Sequence, residues 1–248
     1  MSDDSLEERL SGVSTMWTIL QQAHNGSADQ VNAARALLLE RYRKPVLRYL
    51  KRVVGDQSIA EDLAQEFSLC LINGEFHKAD PERGKFRYYV KGVLFNIVSN
   101  HRKKQVRSPQ PLAPDNPAWD ALEAEATQAG PEFDESWSAE LLNRVWKTFR
   151  QVHPTFETIL RCRADNPRMA SGDMAEVLSQ KLGKPVSASM VRQNLRRARH
   201  MFAELLLVEV AHSLETPTKE ILTEELSELR LLEYCRPALE NMKCEELN

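Results

Sequence analysis

The stretch GKFRYYVKGVLFNIVSNHRKK, Gly84–Lys104, decides how the chain is read. From Arg83 to Lys104 there are seven Lys or Arg side chains and no carboxylate, with Phe86, Tyr88, Tyr89 and Phe95 threaded among them. Apolar spacing predicts a helix over Arg87–Lys104. On a wheel with a turn every ~3.6 residues, Val90, Val93, Leu94, Ile97 and Val98 share one side, while Tyr88, Lys91, Phe95, Ser99, Arg102 and Lys103 share the other. Rings on the charged side are not explained by this segment's own core. Cations neutralise phosphates and flat rings stack on bases, so the face suits a partly single-stranded nucleic acid. A solvated basic face with its rings covered by a neighbouring helix fits the same pattern.

Charge sign is segregated along the rest of the chain. The net charge is −3 over 248 residues. Yet Arg35–Arg52 holds seven cations against Glu40 alone, Arg192–Arg199 holds four cations and no acid, and Asp115–Glu140 holds eight acids and no Lys or Arg. Such blocks mark surfaces with different partners. The acidic linker and the acidic tail are expected to restrain the free protein by covering its basic helices, an attraction that weakens as salt rises. A composition of 42% hydrophobic and 28% charged residues is that of a soluble globular protein. No apolar run is long enough to span a bilayer, and the acidic start MSDDSLEERL is unlike a signal peptide, so the expected location is the cytoplasm, with no membrane partner. Cys70, Cys162, Cys235 and Cys244 lie far apart, which predicts idle or buried thiols rather than a disulfide framework or a metal site. No glycine-rich phosphate loop, Gly-x-Ser-x-Gly or His-Glu-x-x-His occurs, so neither a catalytic residue nor a cofactor is expected.

The expected fold class is all-α, with two small helical domains joined by a flexible linker. Helices are expected over Thr15–His24, Arg35–Val54 (kinked or broken at Pro45) and Ser58–Asn73, before the opening stretch. These make a first domain over residues 13–107. Pro109, Pro111, Pro114 and Pro117 among acids and alanines mark a linker over residues 108–135. A second domain, residues 136–214, starts with Trp137, Leu141, Val145, Phe149 and Val152 along one face, and Pro154 opens its next helix. It ends in two helices, Gly172–Leu182 and Ala188–Glu209, flanking a short connection in which Gly183 suits a helix stop and Ser187 an N-cap. So tight a turn predicts a helix-turn-helix. A leucine-rich acidic helix to Glu233 is expected within a C-terminal extension, residues 215–248.

Two further faces carry chemistry. Along the last long helix Val191, Leu195, Ala198, Phe202 and Leu205 form the core stripe, opposite Ser189, Gln193, Arg196 and His200, with Arg192 and Arg197 at the edges. Gln and Arg near the start of a second helix make bidentate contacts to base edges in a major groove. On Ser58–Asn73, Glu61, Asp62, Gln65 and Glu66 lie opposite Ile59, Leu63 and Phe67, as either a solvated face or a docking face.

The order of these pieces resembles the bacterial RNA polymerase sigma factors of the extracytoplasmic-function group. SIAEDLAQEFSLCLING, Ser58–Gly74, resembles that family's helix for docking on core polymerase, with the motif Ala-Glu-Asp-Leu-x-Gln-Glu intact. Gly84–Lys104 resembles the segment that opens and reads the minus-ten element, although Tyr89 stands where the family usually has Trp and Asn100 where Asp is frequent. DMAEVLSQKLGKPVSASMVRQNLRRARHMFAELL, Asp173–Leu206, resembles the helix-turn-helix for the minus-thirty-five element, its first helix longer than the commonest pattern. ELRLLEYCRPALE, Glu228–Glu240, resembles an extra tail found in a subset of these factors.

The resemblance implies a factor that binds core RNA polymerase and directs promoter recognition, DNA opening and transcription initiation. It implies polymerase contact through Glu61, Asp62, Gln65 and Glu66. Minus-ten contact falls to Phe86, Arg87, Tyr88, Tyr89, Lys91, Phe95, Asn96, Ser99, Arg102 and Lys103, and minus-thirty-five contact to Ser187, Ser189, Arg192, Gln193, Arg196, Arg197 and His200. Partners are core polymerase, promoter DNA and, where regulation demands one, an anti-sigma factor. A stand-alone helix-turn-helix regulator or a helical protein adaptor without DNA binding are the alternatives. The acidic helix argues against the first and the basic aromatic helix against the second.

Overall fold

A computed structural model describes residues 6–73, 85–106, 131–240 and 242. Among them every regular element is a helix and none is a strand, so the all-α class holds. The expected linker falls mostly on residues 107–130, outside the described residues. Contacts gather the chain into two compact units. One comprises Gly12–Glu140 and Ala211–Pro217; the other comprises Met1–Ser11, Leu141–Val210 and Thr218–Asn248.

The first unit is built on α2 (Met16–Asn25), α3 (Ala28–Val54), α4 (Gln57–Ile72), α5 (Phe86–Val106) and the start of α6 (Glu132–Val152). Helix α3 begins well before the expected Arg35, because Ser27 and Gln30 form a reciprocal capping box that satisfies donors at its start. It also runs unbroken through Pro45. The proline is buried beside Tyr42 and Val46, and tertiary packing there offsets the lost donor that would break an isolated helix. Gly55 ends the helix at φ 76°, the left-handed conformation that favours glycine. Asp56 caps α4, its Oδ1 accepting from Ile59 N at 2.9 Å. Leu38, Tyr42, Val46 and Tyr49 make one buried stripe, against which Leu63, Phe67, Phe86, Val90 and Leu94 close the core.

Helix α6 starts at Glu132, four residues before the expected Ser136, and residues up to Glu140 cluster with the first unit instead of opening a second domain. Aromatic burial is the reason. Trp137 stacks on Tyr42 at 4.9 Å between centroids, and Phe133 meets Tyr49 edge-on at 5.8 Å. Within the same unit Met16 N donates to His212 O at 2.7 Å.

The second unit contains α1 (Leu6–Ser11), the rest of α6, α7 (Pro154–Asp165), α8 (Ser171–Leu182), α9 (Ala188–Ala211), α10 (Lys219–Glu228) and α11 (Leu232–Glu240). Proline at the first position starts α7, where its missing donor costs nothing. Leu141, Val145 and Phe149 are buried as the stripe predicts, but Val152, at the helix end, is exposed. The expected tail helix to Glu233 is two helices. Arg230 at φ 57° stops the first and turns the chain into α11. Leu222, Leu226, Leu229, Leu231, Cys235 and Ala238 are buried, so the tail belongs to this unit's core.

Candidate polymerase and nucleic-acid interfaces

Helix α4 presents one face to solvent because its apolar residues fall at helical spacing. Ala60, Leu63, Ala64, Phe67 and Leu71 are buried, and Glu61, Asp62, Gln65 and Glu66 are exposed on the other side. Gln57 donates to the Glu61 carboxylate. The four expected polymerase contacts are therefore together on one accessible surface. Leu69 is 49% and Ile72 39% exposed; Leu69 lies at i+4 from Gln65 and i+3 from Glu66, and Ile72 at i+3 from Leu69, so the acidic face is extended by an apolar end. The wheel reading missed these two. Their signal was that both lie off the Ile59–Leu63–Phe67 stripe.

Helix α5 is more deeply enclosed than a single-helix wheel indicates. Phe86 and Tyr89, named as strand-contacting rings, are core residues. Phe86 meets Trp17 at 5.4 Å and Tyr42 at 5.3 Å, both edge-on, and lies parallel to Tyr89 at 6.3 Å. Arg87 and Lys91, named as backbone contacts, are also buried, at 1% and 7% exposure. Both reach Asp134 at the start of α6. Arg87 Nη1 pairs with Oδ1, and Lys91 Nζ lies 3.0 Å from Oδ2. A buried cation needs such a partner, and the carboxylate comes from outside the segment, beyond what the local pattern reveals.

Tyr88 is half-buried, and its ring has Lys85, Arg87 and Lys91 at 5.7, 4.9 and 5.8 Å from its centroid. Phe95, Asn96 and Ser99 are half-buried, while Arg102 and Lys103 are exposed. The accessible part of the predicted minus-ten face thus runs from Tyr88 to Lys103, with Phe86, Arg87, Tyr89 and Lys91 behind it. Burial pushes the Tyr49 hydroxyl above its ordinary value, helped by Glu132 and opposed by Arg102.

In the second unit α8 and α9 flank the connection Gly183–Ser187. Gly183 ends α8 in the left-handed conformation, φ 64°. Ser179 Oγ accepts from Val186 N at 2.9 Å and pins the turn, and Ser187 Oγ accepts from Met190 N at 3.3 Å as the expected cap of α9. Met174, Ala175 and Leu178 pack with Ile159, Cys162, Val191 and Leu195 in one core. That packing leaves Ser187, Ser189, Arg192, Gln193, Arg196 and Arg197 exposed, with His200 half-buried and its Nε2 3.3 Å from Glu204 Oε1. Among the described residues Arg192, Arg196 and Arg197 have no ion-pair partner, so this cationic edge faces water.

Residues 38–108 match the family model of sigma-70 region 2. The matched stretch begins at Leu38 within α3 and contains both the acidic face of α4 and the whole of α5. Region 2 of sigma-70 factors binds core RNA polymerase and minus-ten promoter DNA. The match covers less than a third of the chain. No curated protein and no solved structure matched the chain. None of the described helices is long and apolar enough to cross a membrane.

Proposed function

We propose that the protein is a sigma factor of the extracytoplasmic-function group that docks on core RNA polymerase through α4, engages the minus-ten element through α5, and reads an upstream element through α8 and α9. The observation that carries this reading is the juxtaposition, within residues 38–108, of an exposed acidic and apolar face on α4 with a cationic, aromatic face on α5. Glu61, Asp62, Gln65 and Glu66 make the polymerase contact, joined by Leu69 and Ile72. Tyr88 and Phe95 stack on bases that have left the duplex, and Arg102 and Lys103 hold the backbone in either state. In the second unit, Gln193 and Arg196 read base edges in a major groove, with α8 and α9 acting as a helix-turn-helix.

Changing Tyr88 and Phe95 to Ala tests the opening step. Each base–aromatic stack is worth about 1–3 kcal/mol, so the double variant should initiate roughly tenfold or more weakly on a duplex promoter. A template already mismatched across the minus-ten region should restore much of that loss. Equal defects on duplex and mismatched templates would assign the rings to packing.

At the upstream element, Gln193→Ala or Arg196→Ala should cost about 1–3 kcal/mol of discrimination at one base position. Selection from a randomised upstream sequence reads this directly. An unchanged preferred sequence in both variants would remove α9 from the recognition scheme.

A further inference from the structure

Three carboxylates on the first turns of α6 are each spent on cations of the first unit. Asp134 uses both oxygens, one for Arg87 and the other for Lys91. Glu135 Oε2 lies 2.5 Å from Arg52 Nη1, and Glu140 Oε2 lies 3.5 Å from Arg48 Nη2, whose Nη1 also donates to Ser136 O at 2.8 Å. The segment is anchored between these pairs by Phe133 and Trp137, both almost fully buried. Its sequence order interleaves the two functions. Acids at 134, 135 and 140 meet cations, and rings at 133 and 137 meet Tyr49 and Tyr42.

We infer that Glu132–Glu140 is an intramolecular occupant of the nucleic-acid face of this unit, with the Asp134 carboxylate standing where a strand phosphate is to bind. The inference rests on the sigma-factor reading above and names a regulation of that same site. Arg87 and Lys91 are too enclosed to meet a phosphate while Asp134 holds them, yet a buried cation cannot be left without an anion. Exchange of carboxylate for phosphate satisfies both requirements, so the segment and the strand exclude each other. The ring of Tyr88 lies beside the same two cations, at 4.9 Å from Arg87 and 5.8 Å from Lys91. Because Phe133 and Trp137 anchor the segment, the open form is a minor state of the free chain. Apparent affinity for a strand is therefore lower than the intrinsic affinity by the open fraction.

The test uses the full chain and a fluorescent random-sequence single-stranded DNA, whose binding is followed by anisotropy across a salt series. Asp134→Asn keeps the shape and an acceptor for Arg87 but removes the charge. It should bind the strand about tenfold more tightly than the natural chain, through a larger open fraction. The log–log salt slope should steepen by about 0.7, because the natural chain takes up ions in breaking one carboxylate's pairing as it gains one phosphate, and the variant does not. Glu135→Gln, at a surface pair that the fold does not need, should give a gain in the same direction of about twofold.

Thermal unfolding checks that each variant is folded. Should the Asp134 variant not fold, the Glu135 variant decides. Folded variants that bind the strand no better than the natural chain, while the complex with core polymerase initiates normally, would overturn the occupancy and leave the sigma reading standing. If no variant forms an active complex with core polymerase on any promoter, the sigma reading itself falls, and the occupancy with it.

Discussion

Changing Asp62 and Glu66 to Lys is expected to abolish capture of core RNA polymerase while leaving the chain folded. Both side chains are exposed and point away from the buried Leu63 and Phe67, so the substitution removes no core contact. Its effect lies in charge complementarity. If the partner's surface is cationic, as the acidic face implies, the reversal puts like charges across the interface, which costs roughly several kcal/mol. Replacing Leu69 with Ser, a change on the apolar end of the same face, should weaken capture less and be insensitive to salt, because it removes apolar burial and no charge. Pull-down of purified core enzyme across a salt series separates the two effects. Undiminished capture by the folded double variant would move the docking surface elsewhere.

The second large effect is on stability, and it concerns the tail. Deleting the chain from Thr218 onward should unfold or aggregate the second unit. It strips Leu222, Leu226, Leu229 and Leu231 from the core, and with them Cys235, whose Sγ lies 3.9 Å from Ala203 O in α9. Burial pushes that thiol up to about 12, as suits a packing residue. The single change Leu226→Ala, at a fully buried position, should cost about 2–5 kcal/mol. Denaturant unfolding, with hydrogen exchange of the α9 amides as the local probe, would show it. A truncated chain as stable as the full one would mean the tail helices are surface ornaments. Truncation is accordingly no neutral way to ask whether the tail's acids screen DNA-binding cations. Substitution at exposed Glu233 and Glu240 asks it without opening the core.

What the sequence made legible is what depends on neighbours within a turn or two. Gly183 and Ser187 act at helix ends as their chemistry predicts, because a cap is settled within about four residues. The acidic face of α4 was equally readable, since one amphipathic helix fixes both its buried and its exposed side. Two of the errors involve a second element. Pro45 should break an isolated helix, but packing on several sides holds α3 continuous. A wheel assigns only one inner face and so places Lys91 outside, while the resemblance alone puts Phe86, Arg87 and Tyr89 among the DNA contacts. In the fold α5 is covered by more than one neighbour, and Asp134 reaches it from 43 and 47 positions away along the chain. One hint was available. Phe133 and Trp137, four residues apart in an acidic run, form an apolar pair that needed a partner outside the run. The tail gave a similar hint in Leu222, Leu226 and Leu229, whose spacing is that of a buried helix face.

The most direct measurement is transcription with purified components. Core RNA polymerase, which alone initiates without specificity, is mixed with the full chain and a library of duplex templates randomised over the minus-ten and minus-thirty-five regions, and the transcribed templates are sequenced. The sigma-factor reading predicts transcripts starting at a fixed distance from two enriched sequence elements, present with the natural chain and lost with the Asp62 and Glu66 double Lys variant. Transcripts no more specific than those of core enzyme alone, under conditions where the chain binds that enzyme, would contradict it.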